Sequence, residues 1–286
     1  WWAAFGIGLW AGVCSISTPA EFPPQYGLDH GMAVGSDEFL DTMAGATGVP
    51  FFAGNKLALL NNGDRFYPAM LRDIELAEHS ITIEAYIYWD GEIGVTFANA
   101  LAAAAQRGVK VKLLLDAVGS QSIGNGIVRI LEGGGCHLAW YNPIRLTRLR
   151  RINNRTHRKS LIIDGCVGYT GGAGIADHWT GDAQDAQHWR DLQIRIEGPA
   201  VRPLQTGFAQ NWLECTSELV TGPDFYPPLP PAGPHRVQTI MSSPETGASS
   251  VRVMYCLAIS AACRSIEIAN PYFVPGHLAI DLFRDA

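Results

Sequence analysis

Apolar residues follow two alternating periodicities between residues 66 and 141. Spacing typical of helices and short apolar runs typical of strands succeed each other along this stretch. The predicted helices cover 67–79, 93–107 and 127–131, and the predicted strands cover 81–88, 110–115 and 138–141. Strands that alternate with helices predict an α/β fold, with a mostly parallel sheet and helices on both of its faces.

A β-hairpin is predicted in the next part of the chain. Asp164-Gly165 is a strong signal for a two-residue turn, and residues 167–170 read as the returning strand. Side chains two positions apart in an extended strand point to the same face, so we expect His157 and Lys159 to project together. Further elements are predicted as a strand over 192–196, a helix over 207–213 and a short helix over 37–43.

His157 and Lys159 place a candidate nucleophile or base beside a fixed positive charge, and phosphate chemistry needs that combination. The six cysteines have no CxxC spacing and no histidine at metal-ligand distance. We therefore expect no disulfide framework, no metal site and a reducing compartment for this domain.

The segment HRKSLIID, followed by the Gly171-Gly172 pair, resembles the HKD signature of the phospholipase D superfamily. Flanking blocks that are similar to the bacterial cardiolipin synthase branch lie at 83–89, 107–120, 189–201 and 270–275, and the similarity covers roughly 55–286. The resemblance implies a phospholipase D-like sandwich. The chain would carry the first of two pseudo-repeated halves and the truncated start of the second.

The resemblance also implies a two-step transfer that uses no cofactor and no metal. His157 would attack phosphorus to give a phosphohistidine, and Lys159 would neutralise charge on the phosphoryl oxygens. Asp191 is the expected acceptor of the other ring N–H of His157, and Asp164 is expected mainly to shape the hairpin turn. These four residues are the candidate catalytic residues.

Phosphate or substrate binding is expected at Gly171, Gly172, Gly174, Glu84 and Arg158. Gly174 departs from the family, which usually carries an asparagine there, although backbone N–H groups of a glycine-rich turn can still cradle an anion. Glu84 is a carboxylate in an otherwise apolar strand. It would either pair with an arginine or form a polar wall of the pocket.

The net charge of −6 argues against a general nucleic-acid binder. Six arginines and one lysine nevertheless lie between Arg145 and Lys159, with no acidic residue among them. This cluster is either a solvated loop or a positive rim for a phospholipid headgroup or a membrane surface.

Residues 1–14 are apolar but shorter than the ~20 residues that a membrane-spanning helix needs. The bacterial cardiolipin synthases that the sequence resembles commonly carry N-terminal membrane helices, so the resemblance implies the remnant of a membrane anchor here. A signal-peptide core, a lipidation site and a buried helix are the alternatives. The expected location is therefore the bacterial inner membrane. The predicted divisions are 1–14, an irregular lead-in at 15–54, the first phospholipase D-like domain at 55–222, a Pro-rich linker at 223–235 and a truncated second domain at 236–286.

A shift of 185 residues aligns residues 66–98 with the end of the chain, including Ser80-Ile81 with Ser265-Ile266. This indicates a repeat with a second strand over 265–268, and it implies that the partner motif lies in a missing C-terminal part. The favoured function is a phosphatidyltransferase that acts on phosphatidylglycerol. Hydrolysis of phospholipid, less so of nucleic acid, is the alternative, and a catalytically silent scaffold is kept for contrast.

Overall fold

A computed structural model describes residues 31–143, 154–242, 249–270 and 272–286. Two compact units make up the chain, Val49–Ala248 and a smaller unit from Trp1–Gly48 and Ser249–Ala286. In chain order the elements are α1 (Asp37–Thr47), β1 (Phe52–Asn61), α2 (Gly63–Glu75), β2 (Ser80–Ala85), α3 (Glu92–Gln106), β3 (Lys110–Asp116), α4 (Asn125–Gly133), β4 (His137–Tyr141), β5 (Ser160–Ile163), β6 (Val167–Gly171), β7 (Leu192–Glu197), α5 (Val201–Thr216), β8 (His235–Val237), α6 (Ser249–Ser260) and α7 (His277–Asp285).

The larger unit contains an eight-stranded sheet in the order β4-β3-β2-β5-β6-β7-β1-β8. Only β2–β3 and β3–β4 are parallel, and the other described pairings are antiparallel. The expected α/β class is confirmed, but the expectation of a mostly parallel sheet is wrong. Parallel neighbours need a long crossover such as a helix, whereas β5 and β6 are joined by a short turn and β5 enters the sheet antiparallel to β2.

Helices cover both faces of this sheet, as predicted. Alternate residues of β3 point to opposite sides, so Leu113 joins one buried cluster and Leu114 joins the other. Apolar residues of α2, α3 and α4 complete the first cluster, while Leu204 and Phe208 of α5 help to form the second. The sheet is therefore buried between two layers, and β2 is buried along its whole length.

The second helix, α2, begins and ends about four residues earlier than the pattern predicted. Beyond Glu75 the chain leaves the helix, and the backbone N–H groups of Glu78 and His79 donate to the Asp164 carboxylate at 3.0 and 2.7 Å. A tertiary acceptor therefore takes the place of the helical carbonyls, which local periodicity does not reveal.

Two strands were not predicted. β1 covers part of the expected irregular lead-in, and β8 lies at the end of the expected Pro-rich linker, where it pairs with β1. Neither strand has the alternation of apolar and polar residues that predicts a strand. The single buried residue of β1 is Asn55, and β8 has three residues, none of them buried. The predicted domain division at 235 stays a prediction.

The smaller unit is built from α1, α6 and α7. The predicted helix at 37–43 is present and extends to Thr47, and the Ser36 side chain caps it by accepting a hydrogen bond from the Phe39 N–H at 3.1 Å. Cys256, Ile259 and Leu282 form its buried cluster. The strand expected over 265–268 is absent from the described residues, which offer no neighbouring strand in this unit to pair with it.

No helix in the described ranges is both long and apolar enough to cross a bilayer. The predicted anchor at 1–14 lies outside those ranges, as does most of the arginine cluster. Each of the five cysteines in the described part of the chain is a free thiol. The described part of the chain holds no group of three or more His, Cys, Asp or Glu side chains that could bind a metal ion.

Candidate active site

The predicted hairpin is present, and its turn has the backbone that Asp-Gly favours. Asp164 and Gly165 both have positive φ, at 50° and 62°, and the Cys166 N–H donates to the Ile163 carbonyl at 2.9 Å. Three residues rather than two separate the paired strands, because Ile163 lies opposite Val167. The hairpin pairs Ser160, the first residue of β5, with Thr170.

His157 and Lys159 come together against one aromatic ring. The His157 ring lies 4.9 Å from the Tyr86 ring between centroids, and the Lys159 Nζ lies 5.8 Å from the centre of the same ring. The Lys159 ammonium also donates to the His157 backbone carbonyl at 3.1 Å. An ammonium over an aromatic face is attracted by the ring quadrupole, so Tyr86 helps to hold this cation beside the imidazole.

The surroundings favour a neutral histidine beside a charged lysine. Desolvation and the Lys159 charge lower the pKa of His157 from its ordinary value, while Asp116 acts in the opposite direction. Burial lowers the pKa of Lys159 to about 8, with the Asp191 charge opposing that shift. At pH 7 the imidazole therefore keeps a free lone pair and the ammonium stays mostly protonated, as nucleophilic attack on a phosphate ester requires.

A buried polar network supports the residue directly before His157. The Thr156 hydroxyl donates a very short hydrogen bond to Glu84 Oε1, and the Asn211 side chain donates to the same oxygen at 2.6 Å. The Thr156 N–H donates to Asp116 Oδ2 at 3.1 Å. Three elements, β2, β3 and α5, therefore fix the backbone that carries His157.

Glu84 is only 1% exposed, and burial raises the pKa of its carboxyl group against the opposing effects of Thr156 and Asn211. Its hydrogen bonds go to these two side chains and to no arginine in the described residues. It also lines the cavity at His157 and Lys159. This environment matches the expected polar wall, and the expected pairing with an arginine is present only as the charge of Arg158, which acts to lower the pKa of Glu84.

Asp164 is not brought to the site. Its carboxylate accepts hydrogen bonds from the N–H groups of Glu78, His79 and Ser80 at 3.0, 2.7 and 2.8 Å, at the turn end of the hairpin. These contacts match the expected shaping role and leave no contact with His157.

Asp191 reaches the site through charge, not through the expected hydrogen bond to His157. Its carboxylate accepts from the Trp179 indole at 3.0 Å and from the Leu192 N–H at 2.8 Å. Among the described residues, no carboxylate accepts a hydrogen bond from the His157 ring. The expected tautomer-fixing contact is thus missing, and the Asp191 oxygens instead accept from Trp179 and from the Leu192 N–H.

The three candidate glycines are explained by close packing. A Cβ at Gly171 would collide with the Leu192 carbonyl, and one at Gly172 would collide with the Asp191 carboxylate. The Gly172 N–H donates to the Leu192 carbonyl at 3.3 Å, so it is not free to cradle an anion. At Gly174 a Cβ would lie 2.8 Å from the Ile87 carbonyl oxygen, so the family's asparagine does not fit this backbone.

Arg158 is occupied by the protein itself. Its Nη1 donates to the Gly207 carbonyl at 2.8 Å, and its Nη2 donates to the Ser242 carbonyl at 3.4 Å. These contacts give Arg158 a structural role, and its expected role in phosphate binding stays a prediction, because Arg158 also lines the cavity at His157. Arg158 ties the start of β5 to α5 and to the segment 237–242.

A cavity of about 380 Å³ opens at this site. Its polar lining comes from Glu84, His157, Arg158, Lys159, Ser160 and Thr170 near the site, and from Gln238, Thr239 and Ser242 in the segment 237–242. Most of the other lining residues are apolar and belong to β1, β7, α5 and the same segment. Tyr86, Thr156, Asp116 and Asn211 were not predicted as site residues, although Tyr86 and Asp116 lie in the family-like blocks 83–89 and 107–120. Only Asp116 had a local signal, as a carboxylate at the carboxyl end of a buried strand followed by a glycine turn.

An α/β domain with a histidine–lysine pair at the mouth of a cavity is typical of proteins that act on phosphate esters. The family model described as "Cardiolipin synthase, PLD-like domain" matches residues 70–212, half of the chain. The chain therefore belongs to the phospholipase D-like family of cardiolipin synthases.

Individual relatives agree with this membership. The chain is 37% identical over 229 residues to a cardiolipin synthase of Geobacillus kaustophilus, covering 79% of this chain and 46% of that protein. It is 33% identical over 239 residues to the major cardiolipin synthase ClsA of Bacillus subtilis, covering 82% of this chain and 50% of that protein. The chain thus spans about half the length of these curated relatives.

Among solved structures, the chain is similar to the phospholipase D family member Nuc from Salmonella typhimurium. The two share 17% identity with a TM-score of 0.46, over 56% of this chain and 96% of that one.

Proposed function

We propose that this chain is part of a phosphatidyltransferase that moves a phosphatidyl group through a phosphohistidine at His157. The observation that carries the proposal is the His157–Lys159 pair on the Tyr86 ring, where the imidazole is kept neutral and the ammonium charged. The named relatives are cardiolipin synthases, so the proposed donor is a phospholipid, phosphatidylglycerol first.

In the first step a ring nitrogen of His157 attacks phosphorus. A P–N bond forms, the P–O bond to glycerol breaks, and the departing alkoxide takes a proton from a general acid. Lys159 stabilises the charge that gathers on the phosphoryl oxygens. In the second step an alcohol of another phosphatidylglycerol attacks phosphorus and gives its proton to the now deprotonated general acid. A new P–O bond forms, and the P–N bond breaks to release His157.

The general acid is expected from a second HKD half, in the C-terminal part of the whole protein. Lipid substrates also imply that the enzyme works at a membrane surface, and we place it at the bacterial inner membrane with this domain in a reducing compartment. The free thiols at Cys136, Cys166, Cys215, Cys256 and Cys263 are compatible with such a compartment.

Product analysis tests this proposal against hydrolysis. The protein is incubated with vesicles in which phosphatidylglycerol is the sole lipid, and the products are separated. Cardiolipin with an equal amount of glycerol supports transfer, whereas phosphatidic acid identifies water as the acceptor. A His157→Ala variant that still formed either product at the original rate would contradict the assignment of the nucleophile.

A further inference from the structure

The cavity at His157 changes character across the sheet. Its floor crosses directly paired residues, from Ser160 on β5 to Thr170 on β6 and Ile194 on β7, and then reaches Leu57 on β1. Neighbouring strands are about 4.8 Å apart, so three strand spacings extend roughly 14 Å. The floor is polar beside the histidine and lysine and becomes apolar away from them.

The side walls of the cavity are also largely apolar at this end. Six of the lining residues belong to, or pack against, the buried cluster under α5, namely Leu57, Ile194, Ile196, Leu204, Phe208 and Val237. From the segment 237–242, the apolar residues Val237, Ile240 and Met241 line the cavity together with the polar residues Gln238, Thr239 and Ser242. Arg158 holds that segment and α5 through their carbonyls, so the apolar space is preformed.

A ligand that fits both ends needs an anionic group and an apolar tail. A phosphate at Lys159 meets a positive charge, and a hydrocarbon chain over Ile194 and Leu57 exchanges water for apolar contact. A nucleic-acid strand would instead place sugar hydroxyls and further phosphates against these apolar side chains, at the cost of unpaired polar groups. The volume of about 380 Å³ is within the range of small-molecule sites.

We propose that this cavity binds one acyl chain of the phospholipid whose phosphate lies at His157 and Lys159. The proposal rests on the proposed function and names the part of the substrate that the apolar end recognises. It predicts that affinity increases with acyl length, by about two- to four-fold for each added CH₂ until the cavity is full.

Gly207 offers a way to fill the cavity without removing a core side chain. It lies in α5 at the cavity wall, and an added Cβ would meet mainly the flexible end of Met241, 3.0 Å away. Replacing a helical glycine also improves helix propensity, so Gly207→Leu should fold. Gly126 is the matched control, because it lies in α4 and an added Cβ meets no atom within 4 Å.

The experiment measures calorimetric binding of monomeric phosphatidylglycerols with butanoyl or hexanoyl chains, relative to glycerophosphoglycerol, which carries the same headgroup and no acyl chain. In the unchanged protein and in Gly126→Leu, this affinity ratio should rise with chain length. In Gly207→Leu the ratio for the hexanoyl lipid should fall by about ten-fold or more, as expected for two or more displaced CH₂ contacts.

A ratio that does not depend on chain length, or one that is the same in Gly207→Leu, overturns the acyl site. That result is also expected if another segment of the protein fills the cavity, and Gly207→Leu would then lower the unfolding temperature. Lys159→Ala separates this failure from failure of the proposed function. If Lys159→Ala abolishes glycerophosphoglycerol binding while the chain-length effect is absent, only the acyl site is wrong. If glycerophosphoglycerol binds equally well without Lys159, the proposed phosphate site is wrong as well.

Discussion

The hydroxyl group of Thr156 donates its hydrogen bond to the buried carboxylate of Glu84, one residue before His157. Glu84 lies on β2 in the centre of the sheet, and Thr156 is 4% exposed. The position of His157, the candidate nucleophile, therefore depends on a hydrogen bond between two neighbouring side chains and not on a contact of its own ring.

Thr156→Val should impair catalysis because it displaces His157. The variant keeps the size of the side chain but leaves the Glu84 carboxylate without one donor, at a cost of about 1–3 kcal/mol of stability. A small displacement of His157 should lower kcat by roughly 10²-fold with little change in KM. Thr156→Ser, which keeps the hydroxyl, is the control and should retain most of kcat. An unchanged kcat in a folded Thr156→Val protein would show that the contact has no positioning role.

His157→Ala should remove the covalent intermediate and lower turnover by several orders of magnitude, because both steps of the proposed transfer pass through this ring. Trapping with radiolabelled phospholipid, followed by acid-sensitive release of label, measures the intermediate directly. His178→Ala provides a histidine control, since that ring packs against Trp89 and Trp189 instead. Equal labelling of the His157→Ala protein would rule out this residue as the nucleophile.

Activity should depend on pH through two groups with opposite requirements. The reaction needs neutral His157, whose lowered pKa places the acid limb of kcat/KM below the ordinary histidine value of about 6.5. It also needs protonated Lys159, so the rate should fall again as pH rises through about 8. In Lys159→Arg the charge persists to far higher pH, and the alkaline limb should disappear from the residual activity. An alkaline limb that stays at the same pH in Lys159→Arg would assign it to another group.

Asp164→Ala should affect stability and not catalysis. Three backbone N–H groups lose their acceptor, and alanine fits the positive φ of 50° poorly. We expect a loss of about 2–4 kcal/mol in the free energy of unfolding, measured with urea, and a smaller loss in Asp164→Asn, which tolerates this backbone and keeps one acceptor oxygen. At a temperature where both variants are folded, their pH profiles should match the unchanged protein. A changed profile would give Asp164 a part in the reaction.

Gly174→Asn restores the residue that the family usually carries, and it should destabilise this protein. The added Cβ would lie 2.8 Å from the Ile87 carbonyl oxygen and 2.9 Å from the Ile87 Cβ. Overpacking of this kind costs about 1–3 kcal/mol, which thermal unfolding can measure. Alanine at position 87 keeps both the carbonyl oxygen and the Cβ and removes only the Cγ2 contact at 3.2 Å, so Ile87→Ala should recover little of the loss. Full stability in Gly174→Asn would mean that this backbone moves easily.

The sequence was a good guide wherever a feature is encoded locally. The period of apolar residues predicted α3, β3 and β4 closely, because each of these elements has a buried face that repeats at its own spacing. The Asp164-Gly165 turn was predicted for the same reason, since its backbone requirement is carried by two adjacent residues. His157 and Lys159 lie together because they are two positions apart, and side chains at that spacing point to the same side of an extended backbone.

The rest depended on partners that are distant in sequence. The direction of β5 is set by β2, and β8 is a strand only because β1 lies beside it. Asp191 was expected to contact His157, but Trp179 and the Leu192 N–H occupy its oxygens. Such contacts belong to the assembled fold, so no local pattern distinguishes Thr156 or Tyr86 from other residues of their type.

The antiparallel contact between β2 and β5 also has a kinetic consequence. The pairing of β2 with β3 and of β3 with β4 needs only a nearby helix crossover, and the pairing of β5 with β6 needs only a short turn. The pairing of Glu84 with Ser160 instead requires closure of a loop of about seventy-five residues. Long-range pairing of this kind slows folding. The step that joins the two halves of the sheet is therefore expected to be late, and it is the same step that brings Glu84 to Thr156. A refolding chain should regain its helical signal before it regains a competent site, and a partly folded molecule carries no active centre.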